Sequence, residues 1–493
     1  MAKRACSITQ RVIGAIAAIA LVQNVAAAAA DAPNDGSPTS ATPNPTLPEP
    51  LRQLADLRGL RSRLDQAGLQ FTFTYYGDAF GNPSGGVTQG LGYDGRFGAI
   101  LDADLEKLGG WSGASFHASI QQIHGTQFSA TKLQNLALVS GIEAPPSTRL
   151  FNLWIEQKIG SETNLRLGQF SAAQEFLVSQ NAALFLNSTF GWPLLPAQDL
   201  PSGGPAYPEA TPGARLTWTP NGQLTLRAAI FNGDPAGPGA GNPVLRDPYG
   251  LAFRVNDPPL LIAEVAYAYN QGNATSRENP HQEGVGPPTP QQKSAADSGS
   301  AGVPGTVKLG GWLHTGKFAD QRFDNQGGLL ADTGAPPLQH SGNFAVYGMI
   351  DQMLWRGGGG GREVNGFVRA TAAPADRNLI DLYFDAGLTF TGLLASRPDD
   401  TVGLGVAYGR ISRQAAAYDR DLVAISGRAM PIRDYEAAIE LTCQVQLAPN
   451  WSVQPDLQYI VHPGGNVPDP RGPSSAAAIP NAVVLGMRTL LKF

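Results

Sequence analysis

Beyond residue 68 the chain alternates between apolar and polar positions. In YEAAIELTCQVQL (435–447), Tyr435, Ala437, Ile439, Leu441, Cys443 and Val445 share one parity, while Glu436, Glu440, Thr442, Gln444 and Gln446 hold the other. Successive side chains of a β-strand point to opposite faces, so this stretch predicts a strand with one oily and one wet face. Sixteen such strands are predicted, at about 69–80, 93–105, 112–124, 150–159, 163–171, 212–219, 222–232, 260–270, 304–317, 343–355, 363–373, 380–391, 400–412, 433–447, 451–462 and 481–493. They are longer than the ~5–6 residues of ordinary globular strands. They suit the ~9–11 residues that a tilted membrane-spanning strand needs.

The connections sort by length. Those at 81–92, 125–149, 172–211, 233–259, 318–342, 413–432 and 463–480 are long, and they alternate with short ones such as LGGWSG, GSE, PN, RGGGGGR and APN. Long loops on one rim and short turns on the other are the pattern of outer-membrane barrels. A closed barrel also satisfies every strand hydrogen bond inside lipid. The predicted fold is therefore all-β: a sixteen-stranded antiparallel transmembrane β-barrel of the outer-membrane type over 69–493, with a short N-terminal helix. Two connections fit poorly. Residues 271–303 are long on the short rim and read as a flexible periplasmic insertion, while 374–379 are brief on the long rim. FRVN (253–256) is a candidate for a further strand.

Parity then assigns the faces. Leu153, Ile155, Ile159, Leu382, Phe384, Leu388, Phe390, Val453, Leu457 and Tyr459 would face lipid. Glu156, Lys158, Asp381, Asp385, Thr389, Ser452, Gln454, Asp456 and Gln458 would face a wet lumen. Tyr75, Trp111, Trp218, Tyr267, Trp451 and Phe493 suit interfacial aromatic girdles. In 51–68, leucines at 51, 54, 57, 60 and 64 follow helical spacing, and Gly68 is a plausible stop. This amphipathic periplasmic helix would pack on the barrel base or on another protein.

The N-terminus changes the compartment. Lys3, Arg4 and Arg11 flank VIGAIAAIALV, and small residues follow to Ala30. That is the layout of a secretory signal peptide over 1–30. The Pro-rich segment 31–50 then reads as a disordered tether. Without residues 1–30, 32 basic residues face 40 acidic ones, a net charge of −8. Such a balance argues against a nucleic-acid partner. Cys443 is then the only cysteine, so no internal disulfide forms.

Catalysis finds little support. There is no H-E-x-x-H, P-loop or G-x-S-x-G motif, and His117, His124, His281, His314, His340 and His462 lack metal spacing. The chain is expected to be neither an enzyme nor a cofactor binder.

Several segments carry a resemblance. LDADLEKLGGW (101–111), FHASIQQIHG (116–125), VSGIEAPPSTRLFNLWIEQ (139–157), LRLGQF (165–170), NSTFGWPLLPAQDLPSGGPAYPEATPGARL (187–216), FNGDPAGPG (231–239), TVGLGVAYGRIS (401–412) and VQPDLQYIVHPGG (453–465) occur in order. From about residue 58 onward the chain resembles the OprB family of carbohydrate-selective porins. The resemblance implies a sixteen-stranded outer-membrane barrel of a Gram-negative bacterium that passes glucose or other monosaccharides by passive diffusion. The 31–50 and 271–303 segments are less typical of it.

A sugar-selective pore must narrow, replace the hydroxyls' water, and still release its solute. The connections 125–149 and 172–211 are too oily for exposed loops and are expected to fold inward and form the constriction. On neighbouring strands the inward parity holds Arg96, Asp102, Asp104, His117, Ser119, Gln121, Trp154, Glu156, Lys158 and Arg166. Arg96 and Arg166 are candidate hydroxyl donors, and Glu156 is a candidate acceptor. Trp154 or Trp192 would offer a stacking face, and Arg369 would line the far wall. A general non-selective porin, and a barrel serving anchoring or polysaccharide export, remain as rival readings. The strand ending in Phe493 resembles the signal read by the barrel-assembly machinery. Both a monomer and a trimer are compatible with the sequence.

Overall fold

The computed structural model describes residues 59–271, 302–357, 361–472 and 476–493. The predicted segments 1–30 and 31–50, the first part of the predicted helix, and nearly all of 271–303 lie outside the described residues.

Sixteen strands form one closed antiparallel barrel in chain order, with β1 hydrogen-bonded to β16. They are β1 Leu69–Ser84, β2 Gly90–Asp104, β3 Ala114–Gly125, β4 Ser147–Ile159, β5 Thr163–Phe170, β6 Thr211–Trp218, β7 Leu224–Asn232 and β8 Pro259–Tyr269. They continue with β9 Gly305–Asp324, β10 Pro337–Arg356, β11 Glu363–Ala372, β12 Ile380–Thr391, β13 Thr401–Ile411, β14 Tyr435–Ala448, β15 Trp451–Val461 and β16 Ala482–Lys492. Each overlaps its predicted strand. Beyond β16, Phe493 exchanges two backbone hydrogen bonds with Phe73, of 2.7 and 2.9 Å, which extends the closing seam.

The faces follow parity. Ile155, Ile159, Leu167, Leu216, Ile230, Val368, Phe384, Leu388, Ile439 and Tyr459 are exposed on the outer wall. Asp381, Asp385, Thr389, Gln454, Asp456 and Gln458 are buried inside it. A soluble protein has the opposite arrangement, so the solvent of the outer wall is lipid. Trp111, Trp218, Tyr267, Trp355 and Trp451 stand exposed at the short-turn rim as an aromatic girdle. Tyr75, expected there, sits midway along β1, where its hydroxyl meets that of Tyr93.

Three expectations about the connections need correction. The first is only five residues, 85–89, because Asn82 closes a hairpin through Gly85 O, Thr88 O and Gly90 N–H. The connection expected over 318–342 is mostly strand, since β9 and β10 run on as a tall hairpin. FRVN joins no strand, and Phe253 within it sits at φ 43°, so among the described residues the count of sixteen stands. Residues 413–432 contain a helix, Arg413–Ser426, capped by Ser412 Oγ on Ala415 N–H and ended by Gly427 at φ 65°.

At the base, helix α1 (Leu60–Gln66) touches β1, and Arg61 donates to Phe71 O at 3.0 Å. Gly68, at φ 95°, turns the chain from helix into strand.

Candidate functional site

Loops 126–146 and 171–210 fold into the barrel. In the second, Phe176, Leu177, Leu184, Phe185, Phe190 and Leu195 are buried. Room for them comes from glycine on the inner parity of β13. A Cβ on Gly403 would stand 2.5 Å from Leu184, one on Gly405 2.8 Å from Phe185, and one on Gly409 2.5 Å from Leu194. Ordinary side chains at these three positions would push the loop off the wall.

A backbone that leaves the sheet and is buried needs partners for its N–H groups. Wall carboxylates supply them. Glu436 accepts from Leu136 and Ala137 at 2.8 and 2.7 Å, and Glu440 from Leu186 and Asn187 at 2.6 and 3.0 Å. Glu264 accepts from Leu177 at 3.1 Å, and Asp351 from Asn181 at 3.3 Å. Arg369 is fully buried and donates to Asp385, to Leu177 O at 2.6 Å, and to Thr189 O and Phe190 O, both at 3.1 Å. Arg369 is therefore a fastener of the loop. It does not line the far wall as expected, because the loop lands on it.

Facing the lumen across β4 to β9 runs a ladder of charge. Glu156 meets Arg166 at 2.9 Å and Arg215 at 2.7 Å. Glu175, from the loop, meets Arg166, Arg215 at 3.1 Å and Arg227 at 3.7 Å. Glu264 meets Arg227 at 3.6 Å and Lys308 at 3.8 Å. Arg166 and Arg215 are directly opposite each other on paired strands, a repulsive placement unless carboxylates bridge it.

Trp154 lies inside a stack. The His117 ring, from β3, lies parallel to it at 4.7 Å, and the Arg166 guanidinium, from β5, stands 3.7 Å from its centroid. His117 Nδ1 is held in turn by Asp102 at 2.6 Å. The expected stacking platform thus has protein on both flanks. Trp192 donates from Nε1 to Gly203 O at 3.0 Å and packs within its own loop. Lys158 stands exposed at the short-turn end of β4, away from the ladder.

A second group lies beside the ladder. Arg96 on β2, Gln121 on β3 and Arg149 on β4 are buried on neighbouring strands, with Gln121 directly opposite Arg149. Tyr207 and Glu209 reach them from the inward loop. The Arg96 guanidinium lies 4.4 Å from the Tyr76 ring and 5.3 Å from the Tyr207 ring, whose hydroxyl donates to Ile142 O at 2.7 Å. Tyr207 therefore joins the two inward loops. Among the described residues, Arg96 Nε, Arg149 Nε and Nη1, Gln121 Oε1 and Glu209 Oε1 are buried without a hydrogen-bond partner. Leaving such atoms unsatisfied costs about 1–3 kcal/mol each, so each calls for a hydrogen-bonding partner.

Burial raises the Glu209 carboxyl to about 7, against the opposing pull of Arg149 and Arg246. Burial also raises Glu143 to about 7, although it accepts from Ser129 N–H at 2.8 Å.

The sequence reading brought Arg96, His117, Trp154, Glu156 and Arg166 to this wall, and they are there. It missed Arg149, Tyr207 and Glu209, together with Arg215, Arg227 and Glu264 of the ladder. The last three carry inward parity on consecutive strands, a signal the sequence does contain.

A family model described as carbohydrate-selective porin, OprB family, matches residues 88–493. Porin B of Pseudomonas aeruginosa is 23% identical over 442 residues, covering 84% of this chain and 87% of that one. The high-pH structure of Pseudomonas putida OprB superposes with a TM-score of 0.73 at 22% identity, covering 89% of this chain and 97% of that one. The low-pH structure of the same protein covers the same shares at a TM-score of 0.50 and 17% identity.

Proposed function

The chain belongs to the OprB family of carbohydrate-selective porins, and from that premise we propose that it passes monosaccharides such as glucose into the periplasm by passive diffusion, past the group formed by Arg96, Gln121, Arg149, Tyr207 and Glu209. The observation that carries this reading is the set of buried polar atoms on β2, β3, β4 and the inward loop that have no partner among the described residues. A monosaccharide loses its hydration shell on entering a narrow lumen, and these atoms can replace it. The arginines donate to hydroxyl oxygens, while Gln121 and Glu209 accept from hydroxyl hydrogens. Because the four side chains and Tyr207 stand on a closed barrel and a fastened loop, little ordering is left for the solute to impose.

The charge ladder has a supporting part in this reading. Its carboxylates and cations hold one another, so Arg166, Glu156 and Trp154 shape the passage and set its field. Family and fold are those of a channel, and neither an enzymatic step nor a cofactor enters the proposal. The family likeness and the lipid-facing wall support a place in the outer membrane. Phe493, at the closing seam, is the natural point of contact for the barrel-assembly machinery.

The test is single-channel current through the purified protein in a planar bilayer, with sugars titrated on one side. Glucose should block the current reversibly, and Arg149→Gln should weaken that block. Current indifferent to every sugar would leave a general porin and overturn the selective reading. A folded protein that carries no current would favour anchoring or export.

A further inference from the structure

Three neighbouring strands are too short for the membrane. Strands β5, β6 and β7 have 8, 8 and 9 residues. At ~3.3 Å per residue and a tilt of ~35–45°, eight residues raise the wall by roughly 19–22 Å, below the ~25 Å apolar band of such barrels. The shortfall lies at the long-loop rim, because the chain leaves β5 there to enter the lumen.

Above this low wall lies the connection between β7 and β8. Its Tyr249 O accepts from Leu150 N–H at 2.9 Å, which places it beside β4, where a longer β5 would have continued. Gly250 fits only as glycine, since a Cβ would stand 2.0 Å from Leu150 O at a φ of 66°. Gln169, on the lipid-facing parity of β5, is only 3% exposed, and its amide donates to Gly250 O at 2.9 Å. The connection therefore lies over the outer end of β5, on the membrane side.

What this strap shows to the outside is apolar. Leu245, Tyr249, Leu251, Phe253 and Val255 are exposed, Val255 by 71%. Among the described residues, the only other exposed large apolar side chain in a long-rim connection is Ile425. The alternating four, 249 to 255, continue upward the belt that Leu167, Leu216 and Ile230 form on the short strands. Meanwhile Arg254 turns back to Asp257, with contacts of 2.8 and 2.7 Å.

The geometry points to a lipid-embedded strap: residues 245–255 sit among the acyl chains of the leaflet at the long-loop rim and complete the hydrophobic wall over β5 to β7. An aqueous loop would leave five large apolar side chains in water beside a wall that stops short of the interface. The inference rests on the outer-membrane reading but is independent of which solute passes.

The test is site-specific quenching in a Cys6→Ala, Cys443→Ala background. Phe253→Cys and Val255→Cys, each labelled with an environment-sensitive fluorophore, are compared with Leu216→Cys on the belt and Gln326→Cys at the β9–β10 tip. The proteins are placed in phospholipid vesicles carrying acyl-chain spin-labelled lipid. Positions 253 and 255 should lose fluorescence as 216 does, while 326 responds only to aqueous iodide. Quenching at 216, with 253 and 255 responding to iodide alone, would overturn the strap and leave the barrel in the membrane. No lipid quenching even at 216 would overturn the membrane reading and the strap with it. Shielding of 253 and 255 from both quenchers, relieved by diluting the protein in lipid, would put a second copy of the chain there instead of lipid.

Discussion

Arg369 and Asp385 lie directly opposite each other on β11 and β12, both without solvent exposure, and the same guanidinium holds three carbonyls of the inward loop. Removing one member of a buried pair leaves the other charge uncompensated, at a cost of about 3–5 kcal/mol. Arg369→Met should therefore lower stability by that order in urea unfolding from vesicles. It should also free the loop, giving larger and noisier single-channel currents. Arg369→Met with Asp385→Asn should recover part of the stability and none of the quiet current. A double variant as quiet as the parent would show that the fastening lies elsewhere.

The stack of His117, Trp154 and Arg166 separates shape from recognition. A tryptophan held on both flanks has no face for a sugar ring. Trp154→Phe should leave glucose block nearly unchanged while lowering the unfolding midpoint. Arg149→Gln should weaken block about tenfold, equivalent to about 1.4 kcal/mol. The comparison is made by titrating glucose against each variant's current, and equal losses in both would return Trp154 to the solute path.

Alternation and loop sorting made the barrel legible, because in a membrane protein one period governs every strand and parity alone decides the face. The limits of that reading are local. Arg149 falls outside the predicted strand, which starts at residue 150 while β4 starts at Ser147, so an inward arginine counts as loop. The tops of β9 and β10 are as polar as turns, since they rise above the lipid and no longer need an oily face. The helix at Arg413–Ser426 has its signals in Ser412 and Gly427, which a division of the chain into strands and connections passes over. Parity correctly put Arg369 inside. That the loop would end upon it is a long-range contact with no local signature.

Glu175 is the one carboxylate of the ladder that comes from the loop, and it touches three arginines. Glu175→Gln keeps its shape and removes one negative charge from a confined, low-dielectric space. The lumen should then favour anions more than in the parent. In a potassium chloride gradient the reversal potential should move toward that of chloride, most at low salt, where screening is weakest. An unmoved potential would mean that the ladder lies off the ion path.

On the proposed reading, Glu209 would link proton binding to sugar binding with opposite signs for function and stability. Burial raises its carboxyl from 4.5 to about 7, with Arg149 and Arg246 opposing and Asp234 and Asp247 adding to the rise. The folded protein thus binds a proton more tightly than the unfolded chain between pH 4.5 and about 7. Its contribution to stability is complete below that window and is lost as the pH rises through it. An ionised Glu209, however, is the better acceptor for a sugar hydroxyl. Glucose block should therefore strengthen as the pH rises through about 7, over the range in which this contribution to stability falls. Glu209→Gln should flatten the pH dependence of the block and reduce the slope of stability near neutral pH, to which Glu143, also raised to about 7, still contributes. Block that keeps its full pH dependence in Glu209→Gln would remove Glu209 from the solute's contacts.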